Sequence, residues 1–155
     1  MVLRAHGLRR TSSHNAILGV SDKETVKLDF DQTSFSRVKY WALKALKRFK
    51  LQGFIVLKSS KNCYHVIFDR ALSWTENMSI VAWVALLSHN EGLRRYLIMQ
   101  CIKKCSTVRV SSKGGKASPR IVYRCGNQSE NIREFLKNRQ LIREISRKMR
   151  EKRGF

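Results

Sequence analysis

Asp29 and Asp31 are the groups in this chain best placed to do chemistry. They stand in Val26-Lys27-Leu28-Asp29-Phe30-Asp31, where Val26, Leu28 and Phe30 alternate with Lys27, Asp29 and Asp31. Period-two alternation is the pattern of a half-buried strand, so both carboxylates project from one side of it. The chain carries only 11 Asp and Glu against 32 Lys and Arg, a net charge of +21. Two acids this close repel and raise each other's pKa, and strands are depleted in Asp. A divalent cation bound between them removes the repulsion. The plainer alternative is a pair of solvated acids offsetting a basic surface.

Other groups can join them. Ser59-Ser60-Lys61-Asn62 is a polar turn short enough for a hairpin, and Cys63 to Phe68 returns as a strand. Its parity sets Cys63, His65, Ile67 and Asp69 on one face and Tyr64, Val66 and Phe68 on the other. A suitable register brings His65 onto the face of Asp29 and Asp31; otherwise it is a hydrogen-bonded sheet histidine. Thr107 to Val110 reads as a strand carrying Arg109, followed by a Gly/Ser/Lys loop with Lys113 and Lys116. Two acids, an imidazole, an arginine and a lysine-rich glycine loop suit nucleoside triphosphate chemistry. The carboxylates would hold Mg²⁺ or Mn²⁺, and the cations would hold phosphate oxygens.

The elements that must position these groups are legible from periodicity. A helix is expected after Asp31, capped by Thr33 or Ser34, with Phe35, Val38, Ala42, Ala45, Leu46 and Phe49 as its buried stripe and Gly53 at its exit. Phe54 to Leu57 reads as a buried strand. A second helix begins near Trp74, capped by Ser73 or Thr75, and is apolar over most of its surface. Glu91 to Gln100 forms a shorter helix. Ile121 to Tyr123 is an edge strand behind Pro119. Trp41, Trp74 and Trp83 are core residues. From Ser129 the chain turns helical, with nine Lys and Arg between Arg133 and Arg153. The order is β-α-β-β-α-β plus a basic helix, an α+β, ferredoxin-like or RNA-recognition-motif-like (RRM-like) antiparallel sheet with helices on one face and the other face open. The expected divisions are a basic arm over 1–15, a core over 16–126 and a basic helical tail over 127–155.

Three motifs in this order resemble the catalytic core of the archaeo-eukaryotic primase superfamily, in particular the small primase-polymerases of archaeal plasmids and viruses. Leu28-Asp29-Phe30-Asp31 is similar to the family's hydrophobic-Asp-x-Asp metal motif. Ser59 to His65 is similar to its serine-containing turn followed by a histidine on the next strand. Thr107 to Lys113 is similar to its basic strand and loop. The resemblance covers roughly residues 24–113. It implies that Asp29 and Asp31 bind metal and that Asp29, Asp31 and His65 are catalytic. It further implies that His65, Ser60, Arg109 and Lys113 contact nucleotide phosphates. The family places a third carboxylate near the basic strand; here no acid occurs between Glu91 and Glu130.

The charge excess points to a polyanionic partner. The expected partners are DNA, single-stranded or primer-template, with RNA as a further candidate, and nucleoside triphosphates. Lys116, Arg120, Arg139, Arg143 and Arg147 are the expected nucleic-acid contacts. The function that follows is metal-dependent nucleotidyl transfer in the DNA replication of a plasmid or virus. The alternative is a catalytically inactive nucleic-acid-binding relative. Cys63, Cys101, Cys105 and Cys125 have neither zinc-finger nor CxxC spacing and suit reduced thiols. Met1 to Gly19 lacks the unbroken apolar run of a signal peptide, and no segment reaches a membrane span's ~20 apolar residues. A cytoplasmic protein without a membrane partner is the expectation.

Overall fold

The computed structural model describes residues 17–152 and 154. Strand β1 spans Gly19–Asp22 and β2 spans Thr25–Phe30, followed by helix α1 over Phe35–Phe49. The hairpin β3 (Gly53–Ser60) and β4 (Cys63–Ala71) leads into α2 (Trp74–Ser88) and α3 (Glu91–Lys103). Strands β5 (Ser106–Arg109) and β6 (Arg120–Gly126) precede α4 (Asn131–Glu151). The class is α+β with two antiparallel sheets. One has the order β2-β4-β3-β6; the other is the ribbon β1-β5. The basic arm expected over 1–15 lies outside the described residues.

Local chemistry sets the boundaries. Ser34 caps α1 by accepting from the Arg37 N–H, and Lys50 ends it in the left-handed region at φ 52°. Gly53, expected at the helix exit, instead opens β3. A Cβ there would stand 1.9 Å from the Asn127 carbonyl oxygen, so close backbone approach explains the glycine. Ser73 and Glu76 form a reciprocal capping box on α2. Asn62, in the left-handed region at φ 55°, tightens the β3–β4 turn to Lys61-Asn62.

The sheet buries both faces. On one, Val26, Leu28, Phe30, Phe54, Val56, Tyr64, Val66 and Phe68 pack against α1, α2 and α3. Trp41 and Trp83 lie against this core edge-to-face. The other face was expected to be open, with residues 127–155 as a tail. It is instead covered: Ile55, Leu57 and Ile67 pack with Val20, Val108 and Val110 of the ribbon region and with Ile132, Phe135 and Ile142 of α4. Each such apolar side chain withdrawn from water stabilises the fold by about 1.5–3 kcal/mol. The strand expected to complete the sheet after α3 is β5, and it pairs with β1 rather than with β2.

Asp69 explains where α4 begins. Its side chain is fully buried, and its carboxylate accepts from the Ile132 N–H at 2.9 Å and the Glu130 N–H at 3.1 Å. A strand residue thus caps a distant helix, where carboxylate charge also meets the positive end of the helix dipole. Asp69→Ala is expected to cost about 1–2 kcal/mol, measured by urea unfolding; an unchanged midpoint would refute the cap.

Candidate functional site

The site begins at a cross-strand pair. In the β2–β4 register Asp29 stands opposite His65, and His65 Nε2 lies 3.3 Å from Asp29 Oδ1. The imidazole is buried, whereas 42% of the carboxylate side chain is exposed. His65 Nδ1 is buried and has no hydrogen-bond partner. The register continues across the sheet from His65 to Leu57 and from Leu57 to Ile121. Asp29 and His65 therefore lie on the face covered by the ribbon and α4, at a point where the cover leaves the carboxylate accessible.

Asp31, one residue beyond β2, is held from several sides. Its Oδ1 accepts from the Cys63 thiol at 2.7 Å, and its Oδ2 lies 4.0 Å from the exposed Arg95 guanidinium. The Asn90 side-chain amide donates to the Asp31 carbonyl at 2.7 Å. Its oxygen accepts from both the Asp31 N–H and the Leu93 N–H, so the residue that caps α3 also fixes the Asp31 backbone. Gly92 completes the contact, since a Cβ there would stand 2.2 Å from Asp31 Cβ. Gly92→Ala is expected to displace Asp31 from the start of α3 and cost about 1–3 kcal/mol. A thermal melt unchanged from that of the parent protein would refute the close approach.

Arg109 is employed differently from expectation. Its guanidinium donates to the carbonyls of Ser111, Ala117 and Ser59. Burial lowers its pKa, and the nearby Asp29 carboxylate opposes that shift. Arg109 thereby ties the 111–118 loop to the end of β3. Lys113 and Lys116 close that loop through reciprocal backbone hydrogen bonds of 3.0 and 2.8 Å, around Gly114 and Gly115 at φ 45° and 73°. Two consecutive positive φ values give a tight hairpin turn that favours glycine. Both lysines are exposed on this finger. Ser60 ends β3 opposite Cys63. Arg120 is exposed on β6, and Arg139 and Arg143 both donate to the Pro119 carbonyl. Arg147 stands apart, 3.7 Å from Glu151.

Behind the site lies a buried polar network. Lys27 is fully buried; its ammonium lies 2.9 Å from Asp22 and donates to the Ser106 carbonyl at 3.3 Å. The Ser106 hydroxyl meets the Tyr96 hydroxyl at 3.2 Å. Burial pushes the Tyr96 phenol well above its ordinary pKa. These contacts bind β1, β2, β5 and α3 together beneath Asp29. Neither this network nor the Asn90 clamp was evident in the sequence. Cys63 did carry a signal, since it shares strand parity with His65.

Asp29 and Asp31 offer two partly exposed carboxylates, hard oxygen donors that suit one hydrated Mg²⁺ or Mn²⁺. Among the described residues no group of three or more His, Cys, Asp or Glu side chains gathers as a ligand set. Asp22 is committed to Lys27, and the next three acids after Asp31 have other partners: Asp69 has the start of α4, Glu76 has Ser73 and Glu91 has Arg94. The four cysteines are free thiols. Among the described residues no helix is long and apolar enough to cross a membrane. No protein-family model, curated protein or solved structure matches the chain.

Proposed function

We propose that this chain is a primase-like nucleotidyltransferase core, built on an RRM-like arrangement, that acts on nucleic acid in the replication of a plasmid or viral DNA. The observation that carries the reading is the direct opposition of Asp29 and His65 across β2 and β4, with Asp31 beside them and Arg109 close enough to feel the Asp29 charge. The first β-α-β-β elements also pair as that arrangement requires, with β4 between β2 and β3.

Asp29 and Asp31 would hold Mg²⁺ or Mn²⁺, which when bound supplies charge neutralisation at the transferring phosphoryl group. His65, whose Nε2 faces Asp29 while its Nδ1 is buried, would donate to a phosphate oxygen of the nucleoside triphosphate by exchanging the Asp29 carboxylate for it at Nε2. Lys113 and Lys116 would bring mobile positive charge over the polyphosphate or template. Arg109 would act through the loop it anchors, as a positioning residue. The substrate 3′ hydroxyl would attack the α-phosphorus, forming a new phosphodiester and releasing pyrophosphate. Incubation with primer-template, labelled nucleoside triphosphates and Mn²⁺ tests the reading. Extension that requires Asp29 supports it, and absence of both extension and primer synthesis overturns it.

A second reading has its own support. Asp69, Glu76 and Glu91 all have other partners, which leaves two carboxylates for an arrangement that in two-metal transfer uses more. A non-catalytic nucleic-acid-binding protein would need none. It would bind DNA or RNA tightly, with strong salt dependence and no need for a divalent ion.

A further inference from the structure

Three arginines converge where α4 crosses the edge strand β6. Arg139 Nη2 donates to the Pro119 carbonyl at 2.8 Å, and Arg143 Nη2 reaches the same oxygen at 3.4 Å. Arg124, in register with Ile55, faces α4 from β6 and is held by Gln128 at 2.7 Å. No ion pair among the described residues includes any of the three. The acids of α4 are turned to other partners: Glu134 to Asn138, Glu144 to Gln140 and Glu151 to Arg147. Arg139 Nε is buried with no partner at all. Burial, Arg143 and Arg124 together push the Arg139 pKa down to about 10. Like charges held together around an orphaned donor form a site whose energy falls when an anion enters.

We propose that Arg124, Arg139 and Arg143 form a seat for one backbone phosphate of a nucleic-acid strand that runs from the Asp29–His65 pair along β6. This inference rests on the nucleic-acid part of the proposed function and adds a binding residue, Arg124, and a path. Asp29 and the seat belong to the same sheet face, three strand spacings of about 4.8 Å apart, and because Ile55, Leu57 and Ile67 between them are covered, the strand would pass around that cover rather than over the sheet. The Lys113–Lys116 finger, tied by Arg109 to the Ser59 carbonyl at the end of β3, supplies cations on this route. A phospholipid headgroup is the other source of a phosphate. The exposed apolar residues of α4, Leu141, Ile145 and Met149, do not share the flank of Arg139 and Arg143. At 3.6 residues per turn they lie across the buried stripe from those arginines. A membrane-lying helix needs its exposed apolar side chains flanked by cations at one depth, so a nucleic-acid strand fits the seat better.

The test is anisotropy of a labelled 20-nucleotide single strand over a salt series in EDTA without nucleotide. It compares the parent protein, Arg124→Gln/Arg143→Gln, Arg143→Gln alone, and Lys44→Gln/Lys47→Gln, a double variant on the opposite side of the sheet. The seat double variant is expected to weaken binding about 10–30-fold and to reduce the salt slope by about 1. Arg143→Gln should show a smaller loss in the same direction, and the α1 double variant less than about threefold. Thermal melts verify folding, and the exposed Arg143→Gln decides the matter if the double variant is unfolded. Equal losses in the seat and α1 variants would overturn the seat, as would an equal or greater seat-dependent loss on anionic phospholipid vesicles. The measurement involves no catalysis, so absence of nucleotide extension would reject the enzymatic reading and leave the seat standing.

Discussion

Asp29→Ala is expected to lower templated nucleotide extension at least about 100-fold, a barrier increase of about 2.7 kcal/mol, while leaving single-strand affinity in EDTA within about twofold. The expectation follows from the proposed nucleotidyl transfer and from the place of Asp29 in the structure. Its exposed oxygen is one of two carboxylate ligands available to a cation, and its Oδ1 orients His65. Removing it eliminates a ligand and leaves a buried imidazole with no described partner on either nitrogen. A lost metal ligand has a signature that general destabilisation lacks: the Mn²⁺ concentration for half-maximal extension should rise. His65→Gln should reduce turnover without moving that Mn²⁺ midpoint, because it removes a phosphate donor rather than a ligand. If Asp29→Ala extends primers as the parent protein does, the nucleotidyl-transfer reading is lost. If no variant, parent included, extends a primer while all bind DNA, the non-catalytic reading replaces it.

Lys27→Ala is expected to cost about 3–5 kcal/mol of folding stability, among the largest effects available from a single substitution in this chain. Lys27 and Asp22 have left water almost completely, with side chains 0% and 4% exposed. Truncating the lysine leaves the Asp22 charge and the Ser106 carbonyl without the ammonium that answers them. Lys27→Met on its own leaves the same orphaned charge, whereas Lys27→Met with Asp22→Leu removes both and should recover most of the loss. The pH dependence has a definite sign. Burial lowers the Lys27 pKa in the folded state, against the pull of Asp22 and Glu24. The unfolded chain then binds more protons between that lowered value and the ordinary 10.5. Stability therefore rises with pH through this window, falls back as pH is lowered through it, and is unchanged by Lys27 below it, where both states hold the proton. The double replacement should flatten that rise. Urea midpoints across alkaline pH measure it, and a parent slope equal to that of the double variant would show that Lys27 does not titrate between the two states.

These two residues also show what could and could not be read from the chain. Alternation in β2 placed Lys27, Asp29 and Asp31 on one face, and alternation in β4 placed His65 on a face with Cys63, Ile67 and Asp69. Both patterns depend only on the two-residue period of a strand. The caps Ser34 and Ser73 were legible for a similar reason, because a hydroxyl next to an apolar-periodic run interacts with its own turn. Asp69 shares the parity of His65 yet serves as the cap of α4, some 60 positions onward, and no local pattern announces that. Arg109 was legible as a basic strand residue, but its use as a tie among three backbone carbonyls depends on where β3 and the 111–118 loop come to rest.

The sequence by itself determined the elements, the faces of the strands and the excess of positive charge, because propensity, periodicity and net charge are properties of short segments and of sums. Tertiary structure alone decided that the second face of the sheet is covered, that Asp29 meets His65 directly, and that Asn90 and Gly92 hold Asp31. It also decided that Arg139 and Arg143 of α4 share the Pro119 carbonyl oxygen while Arg124 faces them from β6. Each of these is a contact between residues far apart in the chain. Their energies depend on register and burial, which a segment does not possess until it packs against another.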